Sequence, residues 1–193
     1  MTTVAEDVLE RLRRTEALLE GHFLLTSGLH SGRFVQCAKV LQYPQHAEVL
    51  GQHLADAAQN LSIDLVISPA LGGVIIGQEV ARALGVRGLF GEREAGRMTL
   101  RRGFALAPGE RALVVEDVTT TGGSVREIIE LVKAHQGTVA GVGAILDRSG
   151  GAIEFGVPFQ VLATLQVQNY DAESCPMCQA GDQAVKPGSR GAS

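Results

Sequence analysis

The sequence ALVVEDVTTTGGS, residues 112–124, changes within a short stretch from apolar to acidic and then to hydroxyl- and glycine-rich. Its apolar part, residues 112–115, is typical of a strand that is buried on both faces of a parallel sheet. The residues after it follow a helical pattern, because apolar side chains recur three or four positions apart: Val125, Ile128, Ile129 and Val132. The stretch therefore predicts a strand, an acidic pair and a loop that precedes a helix.

The predicted loop lies where a helix begins, which is a place suited to binding a phosphate group. Backbone N–H groups are unpaired there, and the helix carries a partial positive charge. Glycines would let the backbone close around the phosphate. Glu116 and Asp117 would repel a phosphate, so they suit the hydroxyl groups of a sugar or a bound Mg²⁺ ion. A phosphorylated sugar would suit both the acidic pair, through its hydroxyl groups, and the loop, through its phosphate. The alternative interpretation is an ordinary turn with a helix cap, in which the two acids are merely solvated.

Several segments of the chain together resemble one family. Residues 114–124, VVEDVTTTGGS, resemble the motif by which type I phosphoribosyltransferases bind phosphoribosyl diphosphate (PRPP). Other segments narrow the resemblance to the orotate phosphoribosyltransferases: GHFLLTSGLHSGRF (21–34), SPALGGVIIG (68–77), EREAGRMTLRRGF (92–104) and ILDRSGG (145–151). They follow the family's order from about residue 15 to residue 190, so the resemblance covers nearly the whole chain.

The resemblance implies a fold, a reaction and a cofactor. The expected fold is α/β, a mostly parallel twisted sheet with helices on both faces plus a small N-terminal hood, in a single domain over residues 1–193. The expected reaction transfers the 5-phosphoribosyl group from PRPP to orotate and yields orotidine 5′-phosphate and pyrophosphate, in pyrimidine (UMP) biosynthesis. Mg²⁺ would be carried by PRPP, without direct protein ligands. A homodimer is expected, in which a lid loop reaches the neighbouring site.

The resemblance also assigns roles to residues of this sequence. Those expected in catalysis are Glu116, Asp117 and Arg93. Those expected to bind PRPP are Glu116, Asp117, Val118, Thr119, Thr120, Thr121, Gly122, Gly123, Ser124, Leu71 and Gly72. Those expected to bind orotate are Thr120, Arg148, Ser27 and Gly28. A non-proline cis peptide bond is expected at Ala70-Leu71 or Leu71-Gly72.

Arg148 has a chemical reason to be the orotate ligand. It follows a predicted buried strand, so it should lie at the same sheet edge as the acidic pair. An arginine can hold a planar carboxylate with two parallel hydrogen bonds, which lysine cannot copy. The alternative is that Arg148 simply pairs with Asp147 or another acidic neighbour.

Three regions are expected to lie outside the sheet. The hood spans about residues 20–42, where His22 and His30 would lie on the surface or pack within it. The polar segment from about 91 to 102 predicts a flexible lid, in which Arg93 and Arg97 would face the departing pyrophosphate; the alternative is a solvated charged hairpin. The Gly-, Ser- and Pro-rich tail from about 170 to 193 predicts a surface arm that could lie at the dimer contact.

Hydrophobic periodicity predicts the remaining elements. An amphipathic helix is expected over residues 3–20, and a second over residues 44–60, which begins at a proline suited to a first turn. Buried strands are expected over residues 63–67, 86–90, 138–146 and 157–165.

Composition and charge limit the possible functions. The chain of 193 residues is long enough for one domain with a real core. Its net charge of −4 and pI near 5.7 give no support for general nucleic-acid binding. No apolar run approaches the length of a membrane span, and the N-terminus lacks the pattern of a signal peptide. A cytoplasmic protein without membrane contact is therefore expected.

The cysteines suggest neither a disulfide framework nor a metal site. There are three of them, an odd number and few for this length. Cys175 and Cys178 have the CxxC spacing of zinc ligands, but no second His or Cys pair follows them. One such pair supplies at most half of a tetrahedral site, so no protein-bound metal is expected.

Two other functions stay open at this point. A purine phosphoribosyltransferase would share the PRPP motif, and Arg148 is the residue that argues against it, since purines lack a carboxylate. A PRPP-sensing regulator of the same fold that binds nucleic acid would need a basic surface, which the charge of the chain does not favour.

Overall fold

Two β-sheets and the helices packed on them form the chain, of which the computed structural model describes residues 2–187. The helices are α1 (Val4–Arg14), α2 (Ala38–Leu41), α3 (Pro44–Ala57), α4 (Gly72–Leu84), α5 (Gly123–Ala134) and α6 (Pro176–Gln179), with a 3-10 turn over Ala172–Ser174. The strands are β1 (Leu18–Leu24), β2 (His30–Val35), β3 (Leu65–Pro69), β4 (Arg87–Glu94), β5 (Arg97–Leu100), β6 (Arg111–Thr119), β7 (Thr138–Asp147), β8 (Phe159–Thr164) and β9 (Asn169–Tyr170). Within these residues, none of the helices is both long and apolar enough to cross a lipid bilayer.

The larger sheet has six strands in the order β5-β4-β3-β6-β7-β8. All neighbouring pairs are parallel except β4 and β5, which are antiparallel. Successive residues of β3 pack on opposite sides: Val66 joins the apolar cluster that includes α3 and α4, whereas Leu65 and Ile67 join the cluster that includes α5. The predicted α/β fold, a mostly parallel sheet with helices on both faces, is therefore confirmed.

The carboxyl ends of the parallel strands meet at one edge of this sheet. β6 and β7 stay paired up to Thr119 and Asp147, and β7 and β8 up to Asp147 and Thr164. β3 ends at Pro69, beside β4. Since α/β sheets of this kind bind ligands in the crevice at the carboxyl ends of their strands, the loops after β3, β6 and β7 are the candidates for a site.

The smaller sheet is antiparallel, in the order β1-β2-β9, and combines the N-terminal hairpin with the C-terminal tail. The tail differs from the surface arm that its composition predicted. β9 pairs with β2, and Val185 forms two backbone hydrogen bonds with β1, to His22 and Leu24. The tail therefore satisfies the backbone groups of strands that would otherwise be sheet edges. Residues 188–193 of the predicted arm lie outside the described residues.

The first helix is shorter than the hydrophobic pattern predicted, because it ends at Arg14 and not near residue 20. Glu16 has a positive φ of 54°. The N–H of Ala17 donates to the carbonyl of Leu12, which closes the end of the helix. Leu18, which the pattern placed on the helix, instead begins β1 with 3% of its surface exposed.

The segment expected as a lid loop is a β-hairpin formed by β4 and β5. The last pair of this ladder sets Glu94 opposite Arg97. Ala95 and Gly96 form the turn between them, both with positive φ, 48° and 82°, which is the geometry that two-residue hairpin turns require. The start of β4 was predicted as a strand over residues 86–90, and a charged hairpin was the alternative to the lid. β5 gave no clear signal in the sequence because it has no fully buried residue and so lacks a clear apolar face.

Candidate active site

Glu116 and a glycine turn line a cavity at the carboxyl edge of the large sheet. β6 continues to Thr119, so Glu116 and Asp117 belong to the strand instead of following it. The cavity has a volume of about 260 Å³ and is lined by Arg93, Glu116, Val118, Thr119, Thr120, Thr121, Gly122, Gly123, Ser124, Val125 and Glu127. The whole predicted phosphate loop therefore faces one space.

The turn into α5 depends on Gly122. This residue is the N-cap of the helix and has a φ of 75°, a conformation that glycine adopts without strain. A side chain there would also lie 2.8 Å from the ring of Phe155. Both constraints keep the backbone N–H groups of the first turn of α5 turned toward the cavity, where an anion can be bound.

Glu116 is a buried acid beside a second acid. Only 8% of its surface is exposed. Burial, reinforced by the adjacent Asp117, raises the pKa of Glu116 well above its usual range. Its Oε1 accepts a hydrogen bond from the Asp117 N–H, at 3.1 Å, and Asp117 Oδ1 accepts one from the Val118 N–H, at 2.8 Å. Among residues 2–187, no salt bridge includes either acid, so the pair suits sugar hydroxyls or a divalent cation.

The loop after β3, residues 70–73, lies next to the acidic pair. The peptide bond between Ala70 and Leu71 is cis, which confirms the expectation from the resemblance. Leu71 is 87% exposed, and its side chain carries no charge. Gly72 lies against the Asp117 carboxylate. An anion at this loop would therefore be bound by backbone N–H groups.

Arg93 reaches the first cavity from the β4–β5 hairpin. Its Nη2 donates to Glu127 Oε1 of α5 at 2.7 Å, and both residues line the same cavity as the phosphate loop of their own chain. Arg97, the other arginine predicted to act, lies on β5 and lines a separate depression with Arg126 on the outer side of α5. The two arginines predicted for one role are thus in different places.

Asp147 holds the turn that carries Arg148. It accepts hydrogen bonds from the hydroxyls of Thr119 and Ser149 and from the backbone N–H groups of Ser149 and Gly151, at 2.8 to 3.1 Å. Burial alone would raise the pKa of Asp147, but these hydrogen bonds outweigh it and lower the pKa. Asp147 does not pair with Arg148, so the alternative of a simple neighbouring ion pair is wrong for these two residues.

Arg148 lines a second cavity and carries a buried hydrogen-bond donor. Its Nε is buried and, in the part of the chain that the structure describes, has no hydrogen-bond partner. Desolvation lowers the pKa of Arg148. The cavity, of about 550 Å³, is lined by Arg148, Ser149, Gln166, Val167 and Gln168. A half-buried guanidinium with one unsatisfied, desolvated N–H favours an anionic partner.

The sequence reasoning missed Gln166 and Gln168, and the structure separates two predicted orotate ligands from these cavities. Ser27 and Gly28 lie in the turn between β1 and β2, and neither residue lines either cavity. Gln166 and Gln168 follow β8, the last strand of the parallel sheet. Their polar side chains just beyond a strand's carboxyl end were the signal that could have found them.

Comparison with known proteins agrees with this geometry. A family model described as a phosphoribosyl transferase domain matches residues 40–155. Orotate phosphoribosyltransferases from Caldanaerobacter subterraneus and Pelotomaculum thermopropionicum are 55% and 56% identical to the chain, over 96% of this chain and 97% of each relative. The solved orotate phosphoribosyltransferase from Aeropyrum pernix has a TM-score of 0.66 at 27% identity, covering 82% of this chain and 95% of that one. The enzyme from Mycobacterium tuberculosis has a TM-score of 0.70 at 22% identity, with the same coverage.

Proposed function

The chain belongs to the orotate phosphoribosyltransferases, and from this membership we propose that it transfers the 5-phosphoribosyl group of PRPP to orotate. The products are orotidine 5′-phosphate and pyrophosphate, in a step of pyrimidine biosynthesis. The observation that carries the proposal is that the buried Glu116 and the glycine- and threonine-rich loop line one cavity, with Asp117 next to Glu116 on the same strand. PRPP offers both a sugar diol and a phosphate monoester to such a site.

The phosphate loop accounts for the 5′-phosphate of PRPP. The backbone N–H groups of Gly123 and Ser124 begin α5, and the threonine hydroxyls before them line the same cavity. A phosphate monoester there gains hydrogen bonds from unpaired N–H groups and the favourable end of the helix dipole. The pyrophosphate would lie between the backbone of residues 70–73 and the guanidinium of Arg93.

Catalysis in this proposal is positioning and charge, without a side-chain nucleophile. The ring nitrogen of orotate attacks the anomeric carbon as the bond to pyrophosphate breaks, and the ribose gains positive charge. Glu116 and Asp117 hold the ribose hydroxyls and stabilise that charge. Arg93 faces the negative charge that develops on the leaving pyrophosphate.

Mg²⁺ fits the electrostatics of the site. Glu116 and Asp117 are adjacent acids that no cationic side chain of residues 2–187 neutralises, and burial together with the neighbouring Asp117 raises the pKa of Glu116. An ion carried by the ribose and diphosphate oxygens of PRPP would lie beside this pair and neutralise charge on the leaving group. The two carboxylates would then face it through the sugar hydroxyls, without ligating it directly.

Arg148 and its cavity support orotate as the acceptor. Arg148 lines this cavity and its Nε has no partner among residues 2–187, so the guanidinium is available to an anion, which the orotate carboxylate would supply. Gln166 and Gln168 line the same cavity and offer amide groups to the polar edges of a pyrimidine. Thr120 of the phosphate loop would contact the base from the other side. A purine would leave the guanidinium unpaired, so the purine phosphoribosyltransferase alternative is disfavoured.

We propose a homodimer in which the tip of the β4–β5 hairpin reaches the neighbouring site. Arg93 is already engaged at the cavity of its own chain, so the arginine available for the partner's site is Arg97, which is the exposed residue of β5. The three cysteines are free thiols, which favours a reducing compartment such as the cytoplasm.

The test is an absorbance assay of orotate consumption with PRPP and Mg²⁺. Adenine, hypoxanthine and uracil serve as competing acceptors, and the double variant Glu116→Gln with Asp117→Asn serves as the inactive control. Consumption of orotate alone, dependent on Mg²⁺ and lost in the double variant, is the expected result. Turnover of a purine with no turnover of orotate would replace the proposal with the purine enzyme. Binding of PRPP without turnover of any base would favour the regulator.

A further inference from the structure

Two histidines and two cysteines from distant parts of the chain converge beside the hood. His22 lies on β1 and His30 on β2, while Cys175 precedes α6 and Cys178 lies within it. Their ligand atoms, one nitrogen or sulfur from each side chain, all lie within 4.8 Å of one another. We propose that these four side chains bind a Zn²⁺ ion, in a structural site that is separate from the proposed transferase site.

The distances between the ligand atoms resemble the edges of a zinc tetrahedron. His22 Nε2 lies 3.5 Å from Cys175 Sγ and 3.7 Å from Cys178 Sγ, and Cys178 Sγ lies 3.3 Å from His30 Nδ1. Bonds of about 2.0–2.1 Å to nitrogen and about 2.3 Å to sulfur give edges of roughly 3.3–3.8 Å in a tetrahedral site. The contact between His22 Nε2 and His30 Nδ1 is shorter, at 2.7 Å. A bound ion would move these two rings slightly apart.

The hydrogen bonding of His22 directs its free lone pair into the cluster. Its Nδ1 lies 3.0 Å from the carbonyl oxygen of Asp182. A carbonyl can only accept, so Nδ1 carries the proton and donates it, which leaves Nε2 unprotonated and facing the two sulfur atoms. A zinc-bound histidine whose other ring nitrogen donates to a backbone carbonyl is the usual arrangement around such an ion.

The fold brings the four ligands together from the two ends of the chain. The β1–β2 pairing sets His30 opposite Leu24 and so brings it close to His22. The tail returns to the same hairpin because β9 pairs with β2 and Val185 bonds to β1. This return packs Cys175 against the histidines, with none of its surface exposed. Each pair of ligands is therefore placed by backbone hydrogen bonding that does not involve the ligands' own side chains.

A structural role follows from the number of ligands and their burial. Four protein ligands complete a tetrahedron and leave no position for water or substrate, in contrast to catalytic zinc sites. His22 and His30 are each 8% exposed. The ion would join the N-terminal hairpin to the tail and hold the hood in place. Since the unfolded chain does not assemble the site, binding energy becomes folding energy.

The decisive measurement is the metal content of the full-length protein, produced with added zinc and purified under reducing conditions. We expect a single zinc ion for each chain by mass spectrometry of the metal. We also expect that Co²⁺, substituted for zinc, gives the visible absorption of a tetrahedral ion with thiolate ligands. Cys178→Ser and His30→Ala should lose the ion. Cys37→Ala is the matched control, because Cys37 is a buried cysteine outside the cluster and its loss should leave the metal content unchanged.

Stability gives a second readout that needs no variant. Stripping the wild-type protein with a chelator should lower its unfolding temperature by several degrees, and zinc should restore it. This measurement on the wild-type protein decides whether zinc is bound if Cys178→Ser or His30→Ala does not fold. The proposal is overturned if the reduced wild-type protein binds no zinc when one equivalent is offered, or if Cys178→Ser retains the full metal content. It is also overturned if Cys175 and Cys178 form a disulfide that persists under those conditions. None of these outcomes bears on orotate turnover.

Discussion

Gly72, at the start of α4, lies so close to Asp117 on β6 that a Cβ atom on Gly72 would be 2.8 Å from the Asp117 Oδ1 atom. The next residue is equally confined, since a Cβ on Gly73 would lie 3.1 Å from Glu116 Oε1. Real Cβ atoms do not approach other atoms at the first of these distances. Glycine therefore lets the loop after β3 rest directly on the acidic pair, and one substrate can contact both.

Gly72→Ala is expected to impair the handling of PRPP. The added methyl group must displace either the Asp117 carboxylate or the loop, and small displacements of positioning groups cost roughly tenfold to a hundredfold in rate. Steady-state kinetics should show the loss in turnover and in KM for PRPP, with KM for orotate little changed. Gly143→Ala is the control, because its Cβ would meet only ordinary contacts, the nearest at 3.5 Å. Wild-type PRPP kinetics in Gly72→Ala would contradict this account of the loop.

Glu116→Gln is expected to stabilise the substrate-free protein at alkaline pH while it abolishes most turnover. Burial and the adjacent Asp117 raise the pKa of Glu116 to about 9. The folded protein then holds a proton that the unfolded chain releases at the ordinary carboxyl pKa of 4.5. Folding therefore becomes less favourable as pH rises from that value toward the folded one. The glutamine amide of the variant carries no charge at any of these pH values, so its burial does not become less favourable as the pH rises.

Thermal unfolding at pH 5 and pH 8 checks this prediction. The gain from Glu116→Gln should be small at pH 5 and several degrees at pH 8, since about 1 kcal/mol corresponds to about 2–4 °C in a chain of this size. The exposed Glu154→Gln should show no such difference between the two pH values. A variant that is less stable than wild type at pH 8 would mean that the acid is paired in the folded protein.

Arg148→Ala is expected to weaken orotate while sparing PRPP. Removing the guanidinium leaves the orotate carboxylate unpaired in its cavity, at a cost of about 2–5 kcal/mol. Arg148→Lys keeps the charge but loses the paired hydrogen bonds, so it should fall between Ala and wild type. Equilibrium binding of each substrate separately is the measurement. An equal loss of PRPP affinity would remove Arg148 from the base site.

The parts of the fold that follow local patterns could be predicted from the sequence. Residues 112–115, the apolar run, lie in β6, and the periodic residues from Val125 onward lie in α5. Both patterns are visible in the sequence because the residues buried in the sheet and under the helix must be apolar. The bounds of α1 could not be predicted, since the reversal at Glu16 depends on a backbone conformation that its residue type does not favour. The start of β4 was predicted, but its hairpin with β5 was only the alternative to a lid loop, because the half-exposed β5 leaves little hydrophobic signal.

The histidine and cysteine cluster lies beyond what local patterns can reveal. His30 and Cys178 are 148 positions apart, and nothing near the CxxC pair points to the hairpin that supplies the other two ligands. The two histidines that complete the cluster lie far before Cys175 in the chain and not after Cys178. The pairing of β9 with β2 and the hydrogen bonds of Val185 to β1 bring them together. The ion pair between Arg93 and Glu127, which joins the hairpin to α5, could not be predicted from local patterns either, because the two residues are far apart in the sequence.

Arg93 and Arg97 are expected to act on different sites of the proposed dimer. Arg93 is fixed by Glu127 at the cavity of its own chain, whereas Arg97 lies near the tip of the hairpin. Each single change to alanine should lower turnover, by roughly a hundredfold or more for Arg93 if it faces the departing pyrophosphate. Measured alone, the two variants would look alike, so subunit mixing is needed to separate them.

Each variant is therefore mixed with the inactive Asp117→Asn protein, and subunit exchange is followed with a labelled chain. In a mixed dimer of Arg97→Ala and Asp117→Asn, one site combines an intact acidic pair with an intact Arg97 from the partner, so activity should return. In a mixed dimer of Arg93→Ala and Asp117→Asn, every site lacks one residue of its own chain, so activity should stay low. Rescue by Arg93→Ala would show that the ion pair with Glu127 opens and that Arg93 crosses to the partner. If exchange is complete and Arg97→Ala is not rescued, the hairpin serves its own chain.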